Sequence, residues 1–441
     1  MNISLARLFT LGALALPLAL AYQNASAIEL NATVEDAVLH NPEFRSKLKE
    51  LRAIQADLKG AEGSWYPTID LSAGIGYEEV DNSTTDNIGD GLTRGEAAVR
   101  VTQNLFEGFG TENEIERQKH RMEAAAYSSE AAANQVALDM TEAFLNLLTQ
   151  QKLLSLAEEN VATHEKILDQ ITQRFDAGIG NQVEVDQAQA RLALAKSNFS
   201  AANNNYHDVL SKFQRVLGRQ PDSALVEPTI NLAIPATIDD AINIALIEHP
   251  TLRSANADIA EAQAQYDASS RAFYPRVDLE LLKTWDNNLA GVDGINEDLQ
   301  AMIRMRYNLY NGGKDKAERS RTASALHQSA EIRNNSRRQT LENIRYAWNA
   351  YQYVGEQKAY IEQHMKLTYD TLTGYRQQFS LGRRSLLDLL NTEDEYINAQ
   401  RTFAESENDY KIAQYRIMNG MGTLLQSMNI NLDPINEAMQ D

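Results

Sequence analysis

The sequence predicts a mainly α-helical chain with a transmembrane β-barrel segment, laid out twice as helix, strand, strand, long helix. Three observations predict it. The first is a duplication: Thr33-Val34-Glu35-Asp36-Ala37-Val38, then His40-Asn41-Pro42, returns as Thr237-Ile238-Asp239-Asp240-Ala241-Ile242, then His249-Pro250. Tyr66-Pro67 returns as Tyr274-Pro275, and Asn104-Leu105-Phe106-Glu107-Gly108 returns as Asn308-Leu309-Tyr310-Asn311-Gly312. Phe175-Asp176-Ala177-Gly178 returns as Phe379-Ser380-Leu381-Gly382. A period of about 200 residues is too long for a solenoid unit and reads as a duplicated half-molecule. The second is that no proline lies between Pro67 and Pro221 or between Pro275 and Pro434, so both stretches can hold long helices. The third is a pair of alternating apolar segments in each half.

The elements follow in order. Residues 1–27 carry Arg7 as their one charge, an apolar run over 8–20 and Ala25-Ser26-Ala27. That is the pattern of a cleavable leader, the alternative being a retained anchor. The mature chain would start at Ile28. Residues 28–220 are the first repeat, 221–236 a linker containing Pro221, Pro228 and Pro235, 237–424 the second repeat, and 425–441 a tail.

Short helices are expected over 33–60 and 238–271, and long ones over 112–174, 184–217, 314–378 and 386–421. Met140, Leu147, Leu154, Val161, Leu168 and Phe175 recur every seven residues, with Ala143, Ala157 and Ile171 three further on. Ile344, Tyr351, Met365, Leu372 and Phe379 match them, with Ala347, Val354, Ile361 and Tyr375, and Lys358 stands where Leu154 did. Sustained heptads argue a coiled coil. The helix over 112–174 would be about 95 Å long at 1.5 Å per residue. No ordinary domain needs that length, but a tube wall does. In each repeat, two short helices end to end would match one long helix.

Strands are expected at 68–78, 96–106, 276–285 and 300–310. Each run is about ten residues, the length of a tilted transmembrane strand. Ile69, Leu71, Ile75, Val99, Val101, Leu279, Leu281, Ile303 and Met305 alternate with polar residues that include Arg100, Arg304 and Arg306. An arginine facing lipid at the bilayer midplane costs about 2–4 kcal/mol, so these three are expected to face a wet lumen. The alternative is a soluble sheet with one solvated face. Four strands cannot close a barrel, and an open edge in lipid leaves backbone groups unsatisfied. Two copies would give eight strands packed with side chains and three would give twelve around a lumen, so three are expected.

Composition narrows the function. The formal charge is −20, and removing Arg7 leaves 40 basic against 61 acidic residues, or −21. That charge, with no basic patch, argues against a nucleic-acid partner. With no cysteine there is no disulfide, thiolate metal site or lipid-modified N-terminal Cys. The seven histidines are scattered without metal-ligand spacing, and no phosphate-binding loop motif occurs. Asp81-Asn82-Ser83-Thr84-Thr85-Asp86 is a poor calcium-loop match. No cofactor and no enzymatic activity are expected.

Together, the leader, the doubled element order, Leu105-Phe106-x-Gly108 and Leu309-Tyr310-x-Gly312, and the Gly178 and Gly382 turns resemble the TolC-type outer membrane efflux and secretion channels. The resemblance implies a homotrimer with a 12-stranded outer membrane barrel and a periplasmic α-helical tunnel, docking on an adaptor and an inner-membrane ABC or proton-driven transporter. It also implies a closed tip at the turns after the long helices. There Arg384 matches the gating arginine and Asp388 the first acidic ring. Phe379 replaces the usual tyrosine, Asn391 occupies the second acidic position with Glu393 and Asp394 close by, and Glu184 stands as the acidic partner with Asp186 nearby. Without the resemblance these charges read as a solvated coiled-coil face. The expected function is the outer membrane channel of a tripartite export system, in type I protein secretion, because the chain ends soon after its last helix and lacks a lipid anchor. Small-molecule efflux is the alternative within that class, and a periplasmic coiled-coil adaptor or structural protein the alternative outside it.

Overall fold

The computed structural model describes residues 28–81 and 91–440; the leader and most of the first strand tip, residues 82–86 included, lie outside them. Helix α1 (Leu30–His40) and α2 (Pro42–Glu62) precede strands β1 (Thr68–Glu78) and β2 (Leu92–Phe106), then α3 (Gly110–Asp176) and α4 (Gln182–Leu217). The second repeat answers with α5 (Ile238–Glu248), α6 (Pro250–Ala268), β3 (Arg276–Asn287), β4 (Ile295–Arg306), α7 (Lys314–Ser380) and α8 (Leu386–Met421). Both ends of α7 and α8 sit 204 residues after those of α3 and α4, while α5 and α6 start 208 after α1 and α2.

Local chemistry sets these boundaries. Asn41 and His249 precede Pro42 and Pro250, and a residue before proline is driven out of the helical region. Each proline then opens a new helix at a position where its missing N–H costs nothing. The single short helices expected over 33–60 and 238–271 are therefore two apiece, the second pair ending in a 3-10 turn at Ser269–Phe273. Gly218 and Gly422 end α4 and α8 at φ +83° and +79°, a conformation that glycine adopts without strain. Asn181 and Ser385 cap α4 and α8 by accepting the N–H of Glu184 and Asp388.

Helices α3 and α7 are 67 residues each, about 100 Å long. Along α3 lie α2 on one stretch and α4 on another, and α7 has α6 and α8 in the same way, as expected for a tube wall. The main core sits where the helices of both repeats meet. It joins Val34, Phe44 and Leu51 to Met140, Phe144, Leu147, Phe213, Ile344, Ile417 and Met421. The C-terminal segment adds α9 (Leu424–Ser427) and α10 (Asp433–Gln440), with Leu424, Leu425, Met428, Ile435 and Ala438 buried in that core. What the sequence presents as a tail is therefore a packed part of the body.

The four strands form one antiparallel sheet in chain order. β2 begins at 92 rather than 96, and β4 runs 295–306 rather than 300–310. Residues 286–287 and 295–299, which lie between the expected strands, are thus strand. The shift at the end of β4 has a physical cause. The last residues of β2, through Phe106, pair with β3 alone, beyond the reach of β1. Among the described residues β4 has no strand on its outer side, so residues 307–310 have no strand there to pair with.

Candidate gate at the helical tip and the two-faced sheet

A small apolar cluster of Ile167, Ile171, Val185, Leu386 and Leu390, with Leu168 and Phe379 against it, ties α3, α4, α7 and α8 together near their tip. Phe379 is a packing residue there, with the Arg174 guanidinium 5.3 Å from its ring centre. On this base the second turn presents Arg384. Its Nη2 donates to the Tyr375 hydroxyl at 3.0 Å, its Nε to Gln378 Oε1 at 3.1 Å, and its carbon lies 4.1 Å from the Tyr375 ring centre. Asp388 Oδ2 is 3.6 Å away. Arg384 thus meets a hydroxyl one helical turn before Phe379, on Tyr375, a residue the heptad placed in the seam.

Asp388 also takes part in the cap of α8. Ser385 Oγ donates to its carboxylate at 2.9 Å and accepts its backbone N–H at 3.1 Å, a reciprocal box that satisfies an orphan donor of the first turn. Glu184 stands at the equivalent place in α4, its N–H donating to Asn181 Oδ1 at 3.0 Å. Asp186 accepts from Gln182 Nε2 at 2.8 Å. Within the chain, Arg384 is joined to neither Glu184 nor Asp186; its partners are Tyr375, Gln378 and Asp388.

The remaining acidic residues near the tip are occupied. Glu393 is buried and takes a two-pronged bond from Arg376, at 2.6 and 2.8 Å. That bond holds the Arg376 guanidinium above its ordinary pKa. Arg191 reaches from α4 to Asp394, and to Asn391 Oδ1 at 2.8 Å. His164, 1% exposed, sets Nε2 3.7 Å from Asp394. It is a packed residue partnered by Asp394. These bridges join residues 17 to 230 positions apart, and no local motif announces them.

The sheet has two unlike faces. Arg304 Nε donates to Glu280 at 2.6 Å, Arg306 Nη2 to Asp278 at 3.0 Å, and Arg100 lies 3.6 Å from Glu280. Asn104 Nδ2 adds a bond to Asp278 at 2.9 Å. The three arginines expected on one face do share it, alternating with the apolar residues of their strands. Their partners Asp278 and Glu280, fully and nearly buried beneath them, were missed because they lie on another strand. On the opposite face Ile69, Leu71, Ile75, Leu299, Ile303 and Met305 are each at least 69% exposed. The charged residues in its described strands, Lys283 and Glu297, pair at 2.9 Å.

Among the described residues, no helix is long and apolar enough to cross a membrane. The exposed apolar face of the sheet fits lipid.

Comparison with known proteins gives the same picture. "Outer membrane efflux protein BepC" of Brucella suis is 21% identical over 406 residues, 91% of this chain and 87% of that one. "Alkaline protease secretion protein AprF" of Pseudomonas aeruginosa is 21% identical over 414 residues, 91% of this chain and 86% of its own. The fold matches the crystal structure of the Campylobacter jejuni CmeC outer membrane channel, with a TM-score of 0.77, 16% identity and coverage of 92% and 90%. The description "Outer membrane efflux protein" fits residues 33–219 and 241–423. The chain belongs to the outer membrane efflux protein family, and its place is the outer membrane.

Proposed function

We propose that this chain is the outer membrane conduit of a tripartite export system, passing substrate through a tunnel gated at its far tip. The observation that carries this reading is the union, in one chain, of a two-faced open sheet with 67-residue helices. An open sheet edge is not viable in lipid, so several copies must close it, and three leave a twelve-stranded lumen. Arg100, Arg304 and Arg306, with Asp278 and Glu280, would line that lumen, and Ile69 and Ile303 would meet lipid. The helices would form the periplasmic tunnel. Ile179 and Leu381, 72% and 69% exposed beside the two turns, suit docking by an adaptor that links the tunnel to an inner-membrane ABC or proton-driven transporter.

In the gate, Arg384 holds the second turn shut. Within one chain it braces against Tyr375, Gln378 and Asp388; any pairing with Glu184 or Asp186 would join neighbouring copies. Three Asp388 carboxylates around the axis would make a cation-binding ring, with Asn391 as a neutral second level. The cargo we favour is a secreted protein, as the name of AprF suggests for that relative. Small-molecule efflux is the second reading, favoured by the name of BepC. Deleting the gene separates them: loss of an exported protein supports secretion, and sensitivity to drugs and detergents supports efflux. Fractionation tests the conduit itself. An SDS-resistant trimer in outer membranes supports it, and a monomer in osmotic-shock fluid indicates a periplasmic adaptor or structural protein instead.

A further inference from the structure

Beyond the tip, α3, α4 and α8 carry a row of polar side chains that the gate does not use. The row starts where the three helices are bridged: Arg191 of α4 donates to Asn391 of α8 at 2.8 Å, and both Arg191 and His164 of α3 reach Asp394. One heptad further from the tip the same helices bring Asn198, Asn398 and Ala157, and one more brings Asn205, Glu405 and Gln150. All six line one cavity of about 150 Å³. Arg191 and His164 fill the first level. Asn198 and Ala157 are too short to fill the next, and Ala201 and Ala202 in the same lining add no bulk.

Gln150, Asn160, Asn198, Asn205 and Asn398 each bring a primary amide to this lining, with a carbonyl acceptor and an NH2 donor. Among the described residues, none of the five bonds another side chain or the backbone. Arg401 and Glu405, one helical turn apart in the same lining, are likewise without a partner there. The amides are not inherited from the duplication. The counterparts of Gln150, Asn160, Asn198 and Asn205 are Val354, His364, Thr402 and Asp409.

We infer that this cavity is a binding site for the backbone of an extended peptide. A polar space of this size holds water, so a ligand gains only by replacing the water's hydrogen bonds with its own. An apolar compound cannot do so. A peptide group can, because its C=O and N–H answer an amide side chain donor to acceptor and acceptor to donor. The spacing fits as well: seven helical residues rise about 10.5 Å, and three extended residues span about 10 Å. A peptide running beside the helices therefore meets each level with the same group. Arg401 and Glu405 remain for side chains of either charge. Asn398 and Glu405 follow Asn391 by one and two heptads along α8, so the row lies on the face that the conduit reading turns to the tunnel axis. The role of the peptide as cargo rests on that reading, and it favours a protein over a drug.

Ala201, exposed on α4 and lining the cavity, can report occupancy because the chain has no cysteine of its own. Full-length Ala201→Cys in detergent should react with N-ethylmaleimide several-fold more slowly when a neutral decapeptide of alternating Gly and Ser is present at millimolar concentration. Ser200→Cys, next to it but outside the lining, should react at an unchanged rate. Asn198→Leu with Asn398→Leu, added to Ala201→Cys, should abolish the protection while the helical circular dichroism stays that of the parent. Equal rates for Ala201→Cys with and without the decapeptide would overturn the site. Protection by maltohexaose and not by the decapeptide would overturn the peptide in favour of a polyol. Protection in a protein that fractionates as a periplasmic monomer would leave a peptide site standing and remove the conduit, and with it the cargo role.

Discussion

The two tips differ far more than the helices that carry them. α3 and α7 have equal length and so do α4 and α8, yet the first turn offers Gly180 and Asn181 where the second offers Arg384 and Ser385. Ile171 packs apolar where Tyr375, its counterpart, receives Arg384. Burial differs too: α3 buries twenty-one residues and α7 six. The difference teaches that duplication supplied the scaffold twice, after which one repeat took the interior of the wall and the other took a charged turn and a face left open. Tyr346, Tyr353, Tyr360 and Leu367, seven apart and each at least 58% exposed, run along that open face.

The scaffold half of the comparison is broken most severely in the core. Met140 and Ile344 are counterparts, both fully buried in the main cluster. Met140→Ala and Ile344→Ala should each cost about 2–5 kcal/mol, read as lower thermal midpoints of helical signal in detergent. Equal losses would confirm that both repeats share one core; a much smaller loss at Ile344 would mean that α7 depends mainly on contacts outside the chain.

A somewhat smaller effect belongs to His249, at the joint of α5 and α6, whose first-repeat counterpart Asn41 has no charge to gain. Burial pushes the His249 pKa down to about 4. The unfolded chain binds the proton near 6.5 and the folded one resists it until about 4, so stability is whole above 6.5 and falls between those values. The loss is about 1.4 kcal/mol per pH unit and about 3 kcal/mol in all. His249→Gln should flatten the midpoint between pH 7 and 4.5; an unchanged slope would assign the acid sensitivity elsewhere.

Much of this was legible in the sequence. The long helices were, because their heptads, proline-free runs and glycine stops are local signals; the sheet's two faces were, because alternation is local. The break at Asn41-Pro42 was written in the proline but hidden by the continuing apolar pattern around it. The end of β4 was not readable, because a strand exists only where a partner pairs with it. At the tip, Arg384 and Asp388 stood out by position. Arg191, Arg376, Asp278 and Glu280 did not, because each is defined by a partner on a different element.

The smallest energies separate the tips by function. Asp388→Asn keeps the cap's acceptor oxygen, so folding should hold, while block of the open channel by trivalent cations should be lost, because rings of acidic residues bind such ions. Glu184→Gln, its counterpart in the first repeat, should leave block in place. Survival of block in Asp388→Asn would move the constriction away from the second turn. Glu393 and Asp394 are poor replacements, being held by Arg376 and Arg191.

Single-channel conductance in planar bilayers, compared between the parent protein and Arg384→Glu, tests the gated conduit most directly. Exposed ion pairs are worth only about 0–1 kcal/mol each, but a closed ring of three copies repeats the loss three times, and the introduced charge repels Asp388. The parent should show small, infrequent openings, and the variant a several-fold larger and sustained conductance. Equal conductance in the two, with both proteins trimeric, would contradict a gate at this turn.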